Sequence, residues 1–300
     1  MSRRTHRRAT AGIALVAAGV TAVTAVVAGV ARRAAALYAS PELEPRPGLQ
    51  PVSVRGADGQ ALPGWVTPTV GDGTRWAVAL PGLGSHPLRH QEIAPALAAH
   101  GYTALFAAHS ARWPARRHGF GVRETDEALA WLRVAADHGA REVTLLGWSF
   151  GGALWLHALD AMRREPLRRT LADPPLVVRA VVLTGPLVDW VPTIAHGIGG
   201  GRLGRALGRA VVGSLAVPGL ARLAGQAGRL RIRPPALTGH PMPLLVVHSD
   251  ADTTVPLATS RALVAAWSGP SRLLVVHGAR HGAERDGDPN GWLDAVSTTV

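Results

Sequence analysis

From Gln60 to His281 the chain alternates short apolar runs with longer segments whose apolar residues recur at helical spacing. A strand that is apolar at nearly every position has no face to turn to water, so it needs cover on both sides. Helices on both faces of a mostly parallel sheet supply that cover, which makes this an α/β chain. The expected strands are Trp76–Leu80, Thr103–Ala108, Glu142–Leu146, Val177–Leu183, Leu244–Val247 and Leu273–Val276. Val52–Val54 and Leu62–Val66 precede them as an antiparallel pair, joined through the turn at Asp58-Gly59. Helices are expected from the Pro81-Gly82 loop to His100, over Thr125–His138 and from Ala153 to Arg163; Gly101 and Gly139 close the first two. Gly291–Val300 reads as a short final helix.

Two stretches depart from the alternation. Residues 190–242 carry seven arginines (Arg202, Arg205, Arg209, Arg222, Arg229, Arg231 and Arg233) and no Asp or Glu. Leu203, Leu207, Ala210 and Val211 share one helical face there, so the stretch reads as a small helical cap over the C-terminal edge of the sheet, hinged at Gly199-Gly200-Gly201. Its arginines are expected to meet an anionic substrate group or anionic lipid headgroups. The other departure is N-terminal. A basic start (Arg3, Arg4, Arg7, Arg8) leads into an uncharged run from Ala11 to Ala31, followed by Arg32 and Arg33. As a helix that run is roughly 30 Å long, enough to cross a bilayer core, and it exceeds the roughly 7–15 apolar residues of a cleavable signal. It is expected to be a transmembrane helix in the cell membrane, with the rest of the chain extracytoplasmic. Secretion after cleavage is the alternative, with Leu37-Tyr38-Ala39 as the processing site. The parts are then a basic N-terminus and membrane helix over 1–33, a Pro-rich linker over 34–51, an α/β core over 52–189 and 243–300, and the cap over 190–242.

Composition removes several function classes. The formal charge is +12, but every basic residue is arginine and only 5% of residues are aromatic. A lysine-free, Ala- and Gly-rich chain reflects codon bias, and no nucleic-acid module accompanies the charge, so no nucleic-acid partner is expected. Without cysteine there is no thiolate nucleophile and no thiolate metal site. The histidines show no pair spaced around a glutamate on a helix, and no lysine follows the glycine run. Neither a metal centre nor a phosphate loop is expected.

The chemistry gathers at Gly147-Trp148-Ser149-Phe150-Gly151-Gly152, which follows the apolar strand Val143-Thr144-Leu145-Leu146 and opens a helix. A serine on so tight a strand-to-helix turn is a nucleophile candidate, and the flanking glycines relieve crowding that Cβ atoms would cause. A neutral hydroxyl is a poor nucleophile and needs a base held by a third group. Asp250, Asp252 and Asp189 are the candidate acids at strand ends, and His277 and His281 the candidate bases after the last strand. His281 lies in a loop from which it can reach over the sheet edge, whereas His277 sits at the strand end.

The Gly-Trp-Ser-Phe-Gly-Gly turn resembles the Gly-Trp-Ser-x-Gly-Gly form of bacterial α/β-hydrolases, and the likeness covers roughly residues 60–300. The Pro81-Gly82 loop departs from that pattern, which commonly has histidine and glycine there. The resemblance implies an α/β-hydrolase fold and the chain order serine, acid, histidine. It selects Asp252, ahead of Val255-Pro256, as the acid and His281 as the general base for Ser149. It implies oxyanion donors at the N–H groups of Phe150 and of Leu83, with Gly84 next. The implied activity is hydrolysis of a small-molecule ester or thioester through an acyl-enzyme, with no cofactor. A serine peptidase of the same superfamily and a non-catalytic binding protein on this fold are the alternatives.

Overall fold

The computed structural model describes residues 21–37, 40–111, 117–164 and 175–299. Its strands are β1 (Gln50–Arg55), β2 (Ala61–Val66), β3 (Arg75–Leu80), β4 (Thr103–Ala107), β5 (Glu142–Trp148), β6 (Val177–Thr184), β7 (Leu244–Ser249) and β8 (Ser271–Val276). They form one sheet in the order β1-β2-β4-β3-β5-β6-β7-β8. β2 pairs antiparallel with β1 and β4, and the pairs from β4–β3 to β7–β8 are parallel. Successive strand residues point to opposite faces, and the burial follows. Trp76, Val78 and Leu80 of β3 enter one apolar cluster, while Ala77 and Ala79 enter the other. Both faces are therefore dry, as the unbroken apolar runs require.

The helices are α1 (residues 21–34), α2 (Ala94–Ala99), α3 (Glu124–Asp137), α4 (Phe150–Arg164), α5 (Trp190–Gly197), α6 (Gly201–Ser214), α7 (Pro218–Leu223), α8 (Leu257–Ala266), α9 (Glu284–Gly287) and α10 (Pro289–Ser297). The helix expected from the Pro81-Gly82 loop onward begins late. Pro87–Ile93 forms a 3₁₀ segment, capped where the His86 ring accepts from Leu88 N–H, before α2 takes over. His90 in that segment has non-helical dihedrals, which is the kink between the two.

The cap contains α5, α6 and α7, and the buried face of α6 only partly matches the expected one: Val211 is buried and Leu207 packs against the core, whereas Leu203 and Ala210 are exposed. Leu203 is 84% exposed, and the buried residues are Gly204, Gly208, Val211 and Ser214. A Cβ on Gly208 would lie 2.7 Å from the Val191 carbonyl oxygen, and one on Gly204 3.1 Å from that of Ala195. α6 thus meets α5 backbone to backbone, a contact that only small residues permit, and Leu203 is left outside it. Gly208→Ala should cost about 1–3 kcal/mol by overpacking. Gly213→Ala, where a Cβ meets nothing within 4 Å, should be neutral or stabilising by up to about 1 kcal/mol. Denaturant midpoints of the two variants check the pair; equal effects would refute close packing at Gly208.

The N-terminal expectation falls only partly within the described residues. Residues 11–20 of the proposed span lie outside the described residues, and no helix among those described is long and apolar enough to cross a membrane. The end of α1 docks on the domain. Val27, Ala31 and Ala35, spaced at helical repeats, are buried in the larger apolar cluster. The Arg117 guanidinium donates to Arg32 O at 3.1 Å, Arg32 donates to Leu223 O at 2.6 Å, and the His118 ring donates to Ala34 O at 2.8 Å. Carbonyls left over at the helix end thus find donors on the domain. The Pro-rich stretch that follows also lies against the domain, with Glu42 paired to His86 and Gln91 donating to Glu44 O.

Candidate active site

The C-terminal ends of β3, β5, β6, β7 and β8 feed loops to one edge of the sheet, where open parallel sheets bind their ligands. Ser149 follows β5 directly, with φ at +50°. Its N–H donates to Thr184 O at 2.8 Å, and its carbonyl accepts from Leu187 N–H at 3.1 Å, so β6 and its loop hold the strained turn. A Cβ on Gly147 would come within 2.7 Å of Gly152, and one on Gly151 would overlap the Leu80 and Pro81 carbonyls. Glycine is obligatory at both places.

The loops after β7 and β8 complete the constellation. His281 Nε2 lies 2.8 Å from Ser149 Oγ, and His281 Nδ1 lies 2.6 Å from Asp252 Oδ2. A carboxylate only accepts, so Nδ1 carries the proton and Nε2 offers its lone pair to the serine hydroxyl. Asp252 Oδ1 accepts the N–H groups of Thr254 and Val255 at 2.7 and 2.9 Å. Burial pushes the Asp252 carboxyl up, but hydrogen bonds from His248, His281 and Val255 outweigh it and hold it below the usual carboxylate range. It is a buried carboxylate that stays charged.

The competing candidates occupy other posts. Asp250 receives the His277 ring at 2.6 Å and Gly278 N–H at 3.0 Å, which braces the loop leading to His281. Asp189 caps α5 by accepting from Val191 N–H. Neither approaches the serine through a histidine. Among the oxyanion candidates, the Gly84 N–H is committed to Ala111 O at 2.9 Å. Leu83 lines the cleft beside Ser149, and Phe150 opens α4.

Several residues escaped the sequence reading. His248, fully buried in β7, brings its Nε2 to 3.1 Å from both Asp252 Oδ2 and Val255 O, so that nitrogen carries the proton. Its Nδ1 then accepts from Ser260 Oγ at 2.6 Å. His196 of α5 reaches the Asp252 carbonyl at 3.1 Å and ties the cap to the acid loop. His90 stacks on Trp148 with centroids 3.9 Å apart, and burial lowers its pKa to about 3, so it stays neutral.

Glu284 is the least expected neighbour. It is fully buried, its Oε1 is 4.0 Å from His281 Nδ1, and neither carboxyl oxygen has a hydrogen-bond partner among the described residues. Burial pushes its carboxyl up. Asp252, His281 and Glu284 bring potential metal-ligand atoms within 4.8 Å of one another, but a cation there would displace the proton between His281 and Asp252. A raised carboxyl favours the neutral form in the folded state. At pH below the ordinary carboxylate value folded and unfolded chains are both protonated and nothing is lost; stability falls as pH climbs through the raised value. Glu284→Gln should therefore raise Tm more at pH 8 than at pH 4. Equal gains at both, measured by calorimetry, would mean that Glu284 does not titrate in this way.

The constellation opens into a cleft of about 830 Å³, a size usual for small-molecule sites. Gly82, Leu83, Trp148 and Leu187 line it with Ser149, together with Trp190, Ile194 and Ile198 of the cap and Val30, Arg33, Ala34 and Leu37 of the N-terminal segment.

No protein-family model matches the chain, and neither does any curated protein. Solved structures do. The chain is similar to the Pyrococcus furiosus esterase Pf2001, with a TM-score of 0.60 and 15% identity over 88% of this chain and 96% of that one. DcsB, solved in complex with its substrate analogue, matches with a TM-score of 0.59 and 17% identity over 84% and 97%. Est1E from Butyrivibrio proteoclasticus matches at 0.55 and 16% over 84% and 96%. At such identities the likeness speaks for the fold, and the fold of this chain is the α/β-hydrolase fold.

Proposed function

We propose that the protein is a serine hydrolase that cleaves carboxylic esters, and thioesters by the same route, through an acyl-enzyme. The hydrogen-bond chain from Ser149 Oγ through His281 to the buried charge of Asp252, at 2.8 and 2.6 Å, carries this reading. Esterases among the structural neighbours support it. In this reading His281 Nε2 takes the Ser149 proton as Oγ attacks the acyl carbon. The imidazolium then gives that proton to the departing alcohol, and Asp252 holds it in orientation throughout. Water repeats the sequence on the acyl-enzyme and frees the acid. The N–H groups of Phe150 and Leu83 receive the developing oxyanion.

A peptidase that holds a free substrate amine needs a carboxylate in its cleft, and none lines this one among the described residues. Esters are therefore the favoured substrates. The test is a fluorophosphonate probe followed by a series of p-nitrophenyl esters beside aminoacyl amides. Labelling of Ser149 together with ester turnover is the expected result; folded protein that stays unlabelled would overturn the reading.

We also place the protein at the cell membrane, held by the apolar residues ahead of Val27, with its domain on the extracytoplasmic side. The uncharged run from Ala11 supports this. Retention in the membrane pellet after carbonate extraction, with the domain open to protease added outside, is the expected result. Release into the soluble fraction would overturn it.

A further inference from the structure

The charge inside the cleft does not come from the cap. Arg202, Arg205, Arg209, Arg222, Arg229, Arg231 and Arg233 are all exposed, and none lines the cleft. The arginines that do line it are Arg33, at the end of α1, and Arg89, in the 3₁₀ segment. They enter from two separate parts of the chain, both ahead of the Ser149 loop in sequence, and no Asp or Glu shares the lining among the described residues. Two cations in a cleft without a carboxylate create a positive field, and a guanidinium pairs with carboxylate or phosphate through a planar fork.

The remainder of the wall is apolar, and it continues out of the cleft. Val23 and Val26 are 64% and 56% exposed, and Val30 lines the cleft. Their spacing of three and four residues aligns them on one stripe of α1. Ile198, 42% exposed, adds an apolar residue on the cap side of the opening. An apolar path thus leads into the cleft where Arg33 stands.

We infer that the site takes amphiphilic esters that carry an acidic group, with Arg33 and Arg89 binding the acid and the α1 stripe with the cleft wall taking the acyl chain. This rests on the esterase reading and names the substrate class within it. A carboxylated ester in solution and an anionic lipid in a bilayer offer the same chemistry.

The experiment compares the octanoyl ester of 4-hydroxybenzoate with its methyl-capped counterpart, each corrected for its rate of alkaline hydrolysis. Full-length protein should prefer the carboxylate in kcat/KM. The double variant Arg33→Gln with Arg89→Gln should lose that preference about tenfold, mostly through KM, and Arg33→Lys with Arg89→Lys should recover part of it. The triple variant Arg202→Gln, Arg205→Gln and Arg209→Gln should keep it, because those arginines lie outside the cleft. An unchanged preference in the double variant overturns the inference, and so does an equal loss in the triple variant, which would mean that overall charge steers the substrate. Fluorophosphonate titration counts folded active sites in every sample. If the probe labels Ser149 and the methyl-capped ester turns over, the esterase reading stands whatever the preference does. Phosphatidylglycerol and phosphatidylcholine vesicles form the second arm. Fatty acid released from the former alone assigns the acidic group to a lipid, and turnover of the soluble carboxylate alone assigns it to a soluble ester.

Discussion

Ser149→Ala should lower kcat on a p-nitrophenyl ester by about 10⁴-fold or more while leaving the fold intact. The substitution deletes one oxygen, the atom 2.8 Å from His281 Nε2. Among the described residues Ser149 is the one hydroxyl bonded to that imidazole, so no neighbour there can inherit the attack. On the proposed mechanism what remains is binding and the oxyanion donors, which alone still exceed the rate in water. Folding should be barely affected, because the Ser149 N–H and C=O keep their bonds to Thr184 and Leu187 whatever the side chain. Circular dichroism and titration of ester turnover check both halves. A folded variant that loses less than about tenfold would remove Ser149 from the chemistry.

Asp252→Asn should be nearly as damaging, on the order of 10⁴-fold in kcat, by a different route. Asp252 accepts on both oxygens: two backbone N–H groups on Oδ1, and the rings of His281 and His248 on Oδ2. An asparagine has a single acceptor oxygen. Turned toward Thr254 and Val255, it presents its NH₂ to His281 and forces the proton onto Nε2, which can then no longer take one from Ser149. Turned the other way, it strands two backbone N–H groups. Stability should drop by on the order of 2–3 kcal/mol, the worth of hydrogen bonds to a charged group. The wild-type advantage depends on pH with a definite sign. A carboxyl held below its usual range stabilises the fold at pH above the ordinary aspartate value, and that contribution is lost as pH falls toward the depressed one. The Tm gap between wild type and Asp252→Asn should therefore narrow on acidification. A gap that is constant with pH would show that the charge of Asp252 contributes nothing.

The strands were legible because burial on both faces writes itself as an apolar run, and each observed strand overlaps its run with ends shifted by a residue or two. The elbow was legible for a similar reason: two glycines and a serine behind such a run leave few alternatives. Other features could not be read locally. His248 looks like a strand-end residue, and only the folded β7 loop brings it to Asp252, four residues on. Glu284 follows His281 by three residues in a stretch with no apolar rhythm, so nothing in the sequence marks it as buried. The α6 face misled in part, for a physical reason. Val211 and Leu207 of the expected face do pack inward, but close approach of two helices selects glycine, so Gly204 and Gly208 make the tightest contact and Leu203 stays outside. Arg33 and Val30 face Ser149 from more than a hundred residues away, a separation that no periodicity reports.

The docking of α1 has a practical side. An enzyme with an apolar leader is usually shortened for expression, and a chain begun near Ser40 would be the natural choice. Here that cut removes Val27, Ala31 and Ala35 from the core and strips Val30, Arg33, Ala34 and Leu37 from the cleft. The loss bares a trench beside Ser149 and deprives His118 and Arg117 of the carbonyls they hold. A shortened protein would keep its elbow and its imidazole yet present a wider, differently charged opening, and its substrate profile would describe that truncated form alone.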